Sequence, residues 1–163
     1  MWRWLAVFLF GGVLGTGFGV ALGFFLFPYV FPPPKASDEL TASEKTSIVA
    51  TGTFIHADPN DPVHYGKGKV TLYRKTLFLH EGFEVGPGPK YHVYLVPKEQ
   101  IRTSDDVKDT MFVDLGRLKS FKGSQKFAVP NGMDLNKFSS VVIWCEAFGV
   151  LISPADLTGG PGA

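Results

Sequence analysis

The chain has 163 residues, 45% of them hydrophobic, which suits one compact domain with an apolar addition and is short for two full domains. Sixteen basic side chains meet 15 acidic ones for a net charge of +1, so the charge balance gives no support to nucleic-acid binding by phosphate neutralisation. A single cysteine excludes an internal disulfide framework and any Cys-rich zinc or iron–sulfur site, and 19 Gly, 12 Pro and 15 Phe favour strands and turns over a helical bundle.

Residues 1–31 read as an N-terminal transmembrane anchor. No charged side chain occurs between Trp4 and Pro34, and residues 5–27 make roughly 34 Å of helix, enough for a hydrocarbon core of about 30 Å. Trp2 and Trp4 at one end, and Tyr29 and Phe31 at the other, suit the two interfaces, and Pro28 marks where the helix should stop. A cleaved signal peptide competes. Its apolar stretch is usually shorter and ends in a small-residue site, whereas this one leaves through Phe25-Leu26-Phe27-Pro28-Tyr29. Arg3 precedes the span, while Lys35 follows it beside Asp38 and Glu39. The resulting basic bias orients the N-terminus to the cytoplasm and the rest of the chain outward, as a single-pass protein of the cell (inner) membrane with a periplasmic domain. Gly11, Gly15, Gly19 and Gly23 recur every four residues, a seam along which two helices pair closely in a homodimer. The competing reading is that Gly is simply common in membrane helices.

Residues 32–47 are expected to form a Pro-rich, polar linker: polyproline at Pro32-Pro33-Pro34, then a tether with a capping box at Thr41–Glu44 and at most one helical turn. From residue 48 the hydrophobic period becomes two. Strands are expected at 48–56, 69–74, 76–85, 91–96, 111–118, 125–129, 139–146 and 148–153, with one helical turn at 104–108 capped by Ser104. Turn chemistry at Asp58-Pro59-Asn60-Asp61-Pro62, Gly86-Pro87-Gly88-Pro89 and Asn131-Gly132 separates them. This patterning predicts a mainly β fold, an antiparallel β-sandwich over 48–157, followed by a flexible tail at 158–163. Its expected core includes Phe54, Leu72, Phe78, Val93, Leu95, Phe112, Leu115, Phe127, Val141 and Ile143.

Three stretches carry a family resemblance. They are Gly82–Leu95, with a strand, a Gly-Pro turn and Tyr91-His92-Val93-Tyr94; Leu115-Gly116-Arg117 with Gly123–Pro130; and Val141-Val142-Ile143-Trp144-Cys145-Glu146-Ala147-Phe148. Together they resemble the DM-thirteen, or electron-transfer DM-thirteen, domain over roughly residues 51–157, in the manner of a membrane-anchored bacterial member. The resemblance implies a compact β-sandwich and a redox role for its single matching cysteine, Cys145. It also implies that any cytochrome-like DOMON partner must come from another protein, because this chain carries no such domain.

From the residues alone, Cys145 has two readings. Alternation places Val141, Ile143 and Cys145 on one face and Val142, Trp144 and Glu146 on the other, so Cys145 is either a small core residue or a thiol near a strand end. The redox reading expects it to be at least partly accessible, with His80 or His92 brought close to activate it. With no second cysteine, a thiol cycle needs another subunit, another protein or a small thiol as redox partner. Copper would need Cys145 with two of His56, His64, His80 and His92, but no His or Met follows on the adjoining loop. Covalent c-type haem has no attachment motif, while haem held by His or Met, including Met111 and Met133, stays open. His80 and His92 are weak metal candidates on successive predicted strands. Asp58, Asn60, Asp61 and His64 read as an Asx/Pro turn before a cation loop. Lysines at 67, 69 and 75 with Arg74, and at 119, 122 and 126, read as solvated strand edges, or alternatively as a contact for anionic lipid. Two function classes remain: an extracytoplasmic electron-transfer module using Cys145, and a non-enzymatic binding domain in which Cys145 is core.

Overall fold

An uninterrupted apolar run makes the first element. In the computed structural model, which describes residues 1–159, helix α1 runs over Trp2–Val30. It therefore passes through Pro28 instead of stopping there. Proline removes one backbone donor, and the helix still closes with the Phe31 N–H donating to the Phe27 carbonyl. None of its residues is buried, and its length and apolarity suffice to cross a membrane, as those of an anchor or a signal sequence would. The chain divides into two compact units, Met1–Pro32 and Pro33–Ala163.

The second unit is mainly β, with strands β1 (Ala36–Ser37), β2 (Ile48–Phe54), β3 (Gly66–Tyr73), β4 (Thr76–Leu79), β5 (Glu84–Val85), β6 (Tyr91–Val96), β7 (Val113–Arg117), β8 (Gly123–Ala128), β9 (Ser140–Cys145) and β10 (Val150–Gly159). A short helix α2 (Ser104–Lys108) follows β6. The antiparallel strand content matches the expectation, but the arrangement is one curled half-barrel sheet, not two stacked layers. Nine strands lie on one hydrogen-bonded path, β1-β8-β4-β3-β2-β10-β9-β6-β7, with β5 paired to β3 off it, and β7 near one end touches β8 near the other. Every pairing is antiparallel except β1 with β8.

Period-two alternation in the central strands feeds two cores. The larger lies inside the curl and takes Phe54, Leu72, Leu79, Val93, Leu95 and Ile143 with many others. The smaller, on the outer face, gathers Tyr94, Val96, Ile101, Val107, Val142, Trp144 and Leu151. Two expected core residues lie elsewhere. Phe78 faces outward against His80, and Phe112 is exposed, stacked flat on Tyr94 with ring centroids 4.3 Å apart.

Three local expectations shift. The predicted strand 76–85 breaks in two at His80–Phe83, where the Phe83 N–H turns back to the His80 carbonyl. Helix α2 occupies its expected residues, but its cap is Thr103, which shares a reciprocal capping box with Asp106. Strand β10 continues through Pro154 to Gly159. Pro154 lies just past the irregularity between Leu151 and Ser153, the kind of place where a sheet tolerates proline. The tail expected at 158–163 is thus strand at its start, and residues 160–163 lie outside the described part.

The segment read as a tether is docked in part. Residues of β1 pair with Gly123 and Ser124, Asp38 meets Lys119, Glu44 reaches Lys126 at 3.1 Å, and Lys35 reaches Glu81 at 2.8 Å. Those acids absorb two lysines of the second basic run, and Glu84 takes Lys122 together with Lys67. These lysines are therefore engaged within the domain. The Thr41–Glu44 capping box is present as a single turn.

Candidate functional site

Cys145 ends the most buried strand of the domain, all six residues of β9 being buried. Its side chain joins the inner core with Val141 and Ile143, while Val142 and Trp144 belong to the outer cluster, as alternation requires. The residue is only 1% exposed, so the partial accessibility expected from its strand-end position is not found. The reason is its cover. Tyr91 pairs with it across β6, the carbonyl of Pro89 accepts from Sγ at 3.2 Å, and residues 146–149 turn over the strand end. That turn closes with the Gly149 N–H donating to the Cys145 carbonyl, and Gly149 takes φ +62°, where glycine avoids a Cβ clash.

Two influences on the thiol oppose each other. Burial pushes its pKa up, while the backbone N–H groups of Phe148 and Ala147 pull it down, burial being the larger effect. Ala147 and Phe148 are themselves exposed. The cover on this side is a short surface turn.

Neither candidate activator reaches the sulfur. His92 alternates with Tyr91 and Val93 and so projects from the outer face, opposite Cys145. His80 also faces outward, 2.8 Å from the Thr71 hydroxyl, beside a groove of about 500 Å³ lined by Thr51, Thr53, Lys69, Thr71 and Thr158. Burial lowers its pKa. His80 and His92 do not meet, because β3, β2, β10 and β9 separate β4 from β6. His56 bonds to the Asp61 carbonyl at 2.7 Å and His64 to the Asp61 carboxylate at 2.6 Å. The geometry therefore assembles no Cys–His₂ set of the copper type at Cys145. Met111 is exposed, and Met133 packs against the inner core. The Asp58–His64 loop is built from Asx turns, Asp58 accepting from the Asn60 N–H and Asp61 from the N–H groups of Val63 and His64.

A second grouping escaped the sequence reading. On the outer face, His92 places Nδ1 2.9 Å from Asp114 Oδ2 and Nε2 3.5 Å from Glu146 Oε2. The Tyr94 hydroxyl donates to Glu146 Oε1 at 3.1 Å, and Lys90 Nζ lies 2.9 Å from Oε2. Lys90 is the main cause of the lowered pKa of Glu146, whereas burial, then Glu146, raise that of Tyr94. Asp114 and His92 lie on consecutive strands, β7 and β6, that pair with each other across the connection through α2. The irregularity in β7 that aligns them was invisible in the alternation. Glu146 is next to Cys145, and the strand pattern did place it on the outer face.

A model of the family described as electron transfer DM13 matches residues 60–157, which contain Cys145 and all three residues of the His92 grouping. No curated protein and no solved structure matches the chain.

Proposed function

Because the chain belongs to the electron transfer DM13 family, we propose that it is a membrane-anchored electron-transfer module whose redox centre is Cys145, reached by local opening of the turn at residues 146–149. The observation that carries this reading is that the buried sulfur lies at a strand end followed directly by a short turn, 146–149, whose Ala147 and Phe148 are exposed. Amide donors aimed at sulfur favour thiolate. Opening the turn removes the burial that disfavours thiolate and moves the Ala147 and Phe148 amides away with it, so solvent then takes over their role at the exposed sulfur. A lone thiol has one balanced route open to it with a small disulfide. The Cys145 thiolate attacks one sulfur of the disulfide, a mixed disulfide forms and a thiolate leaves. A second thiolate, from a partner protein or a small thiol, then releases Cys145 and carries the new disulfide away. The net result is exchange of one thiolate of the disulfide for another with Cys145 regenerated, and two electrons have moved once a second thiolate of the donor displaces the remaining small thiolate from the new disulfide.

The membrane part of the proposal uses α1 as an uncleaved anchor, with the β domain on the periplasmic side of the inner membrane. Its support is the span length and the position of Arg3. Protease added to cells with an opened outer envelope digests the domain if this orientation holds and spares it if reversed. Pairing of two copies along Gly11, Gly15, Gly19 and Gly23 belongs to the same proposal.

The 1% exposure of Cys145 also favours a second reading, a binding domain in which Cys145 is core packing. Incubation of the full-length chain in detergent with glutathione disulfide separates the two. The electron-transfer reading expects a mixed disulfide on Cys145 while the fold is intact, reversed by reduced glutathione. Formation only on unfolding leaves the binding-domain reading.

A further inference from the structure

We propose that His92, Asp114 and Glu146 form a binding site for a divalent first-row transition-metal ion of the zinc type. The inference is independent of any role for Cys145, whose sulfur lies on the other face of the sheet.

Each of the three residues offers one ligand atom, and the three atoms lie within 4.8 Å of one another. A tetrahedral ion held at 2.0–2.2 Å keeps its ligands roughly 3.4 Å apart, so side-chain rotations close the site. Glu146 Oε2 lies 3.5 Å from His92 Nε2 and Asp114 Oδ2 lies 2.9 Å from Nδ1, so the ion takes one ring nitrogen and the imidazole turns to bring it between both carboxylates. The donor set names the class of ion. An imidazole with two carboxylates suits zinc and its neighbours, whereas magnesium and calcium prefer oxygen throughout. Three protein ligands leave a fourth position for water.

The frame around the cluster is what distinguishes it from scattered surface charge. His92 is on β6, the middle of three adjacent strands, with Glu146 just past the end of β9 on one side and Asp114 in β7 on the other. Between the pairs His92–Arg117 and Tyr94–Asp114 the β7 register gains one residue, and Gly116 in that bulge takes φ +118°. Bulges of this kind re-aim a side chain. The Gly116 N–H then donates to Asp114 Oδ1 at 2.8 Å, while Oδ2 faces His92. Glu146 is held in the same manner, with Oε1 on the Tyr94 hydroxyl and Oε2 towards His92. Asp114 turns both oxygens to His92 Nδ1, at 3.1 and 2.9 Å, with the first also held by Gly116. Glu146 has Oε1 on Tyr94 and Oε2 between His92 and Lys90, and such outer-shell contacts orient metal ligands.

Lys90 is the built-in competitor. Its ammonium sits on Glu146 Oε2, its side chain is 58% exposed, and an arriving divalent ion displaces it into solvent. Arg117, opposite His92 in the register, adds a second positive charge nearby. The site is consequently expected to be exchangeable, not permanently filled.

The test is calorimetric titration of Zn²⁺ into the metal-free full-length chain in detergent. The expected result is one ion per chain, at least tenfold weaker binding in each of His92→Gln, Asp114→Asn and Glu146→Gln, and tighter binding in Lys90→Gln. Co²⁺ provides a readout without substitution, since it should shift the His92 ring resonances of the unmodified protein. Absence of saturable binding overturns the proposal. So does affinity unchanged in His92→Gln, binding lost instead in His64→Gln, or Ca²⁺ bound as tightly as Zn²⁺.

Discussion

Cys145 and Glu146 are consecutive in the chain and serve opposite faces of one sheet. The thiol points into the inner core beneath the Pro89 carbonyl, and the carboxylate reaches the Tyr94 hydroxyl on the outside. The turn that begins at Glu146 therefore covers the sulfur and also carries a ligand of the outer cluster. The same four residues, 146–149, join β9 to β10.

Gly116 is the backbone position on which Asp114 depends. No atom lies within 4 Å of where its Cβ would be, so Gly116→Ala costs only conformational strain at φ +118°, roughly 1–3 kcal/mol. Urea unfolding of the full-length chain should show that loss, with Zn²⁺ binding weakened in the same variant. Unchanged stability would mean that the bulge relaxes without cost.

The Asp58–His64 loop gives the domain an acid-sensitive element. The N–H and ring of His64, with the Val63 N–H, hold the Asp61 carboxyl at about 2, below its usual 3.8. The folded-state value is the depressed one, so the stabilisation is complete above the unfolded value and disappears as pH falls through the folded one. Wild type should accordingly lose stability relative to Asp61→Asn between about pH 4 and pH 2, and the two should run in parallel above pH 5. Parallel behaviour across the whole range would remove Asp61 from the acid response.

Much of this architecture was legible. Strong alternation in Tyr91–Val96 and Val141–Cys145 set the two faces, because every residue there except His92 is committed to one core or the other. What failed depended on partners distant in sequence. Phe112 reads as core but stacks outside on Tyr94, and the polar segment at 35–47 reads as tether but finds Lys119 and Lys126. Turn chemistry alone did not distinguish a sandwich from one curled sheet, since both use the same strands and differ only in which edges pair. For Cys145, local pattern gave the face correctly but not the cover, which comes from Pro89 more than fifty residues earlier.

Pairing through α1 is tested on the glycine seam. Gly11, Gly15, Gly19 and Gly23 have nothing within 4 Å of their Cβ positions, so a bulky substitution does not disturb the helix's own unit. Gly15→Ile and Gly19→Ile should reduce crosslinking of the full-length protein in membranes by separating the backbones. Equal crosslinking in wild type and both variants would count against the seam.

Electron transfer through Cys145 requires that the thiol be reached through its own cover and not through unfolding of the domain. Thiol labelling of the full-length chain in detergent, followed by mass across a series of urea concentrations below the unfolding transition, measures this directly. Local opening of residues 146–149 predicts a labelling rate that stays nearly flat with urea and exceeds the rate of global unfolding. A labelling rate that rises with urea along the same slope as global unfolding would contradict it and leave Cys145 as a core residue.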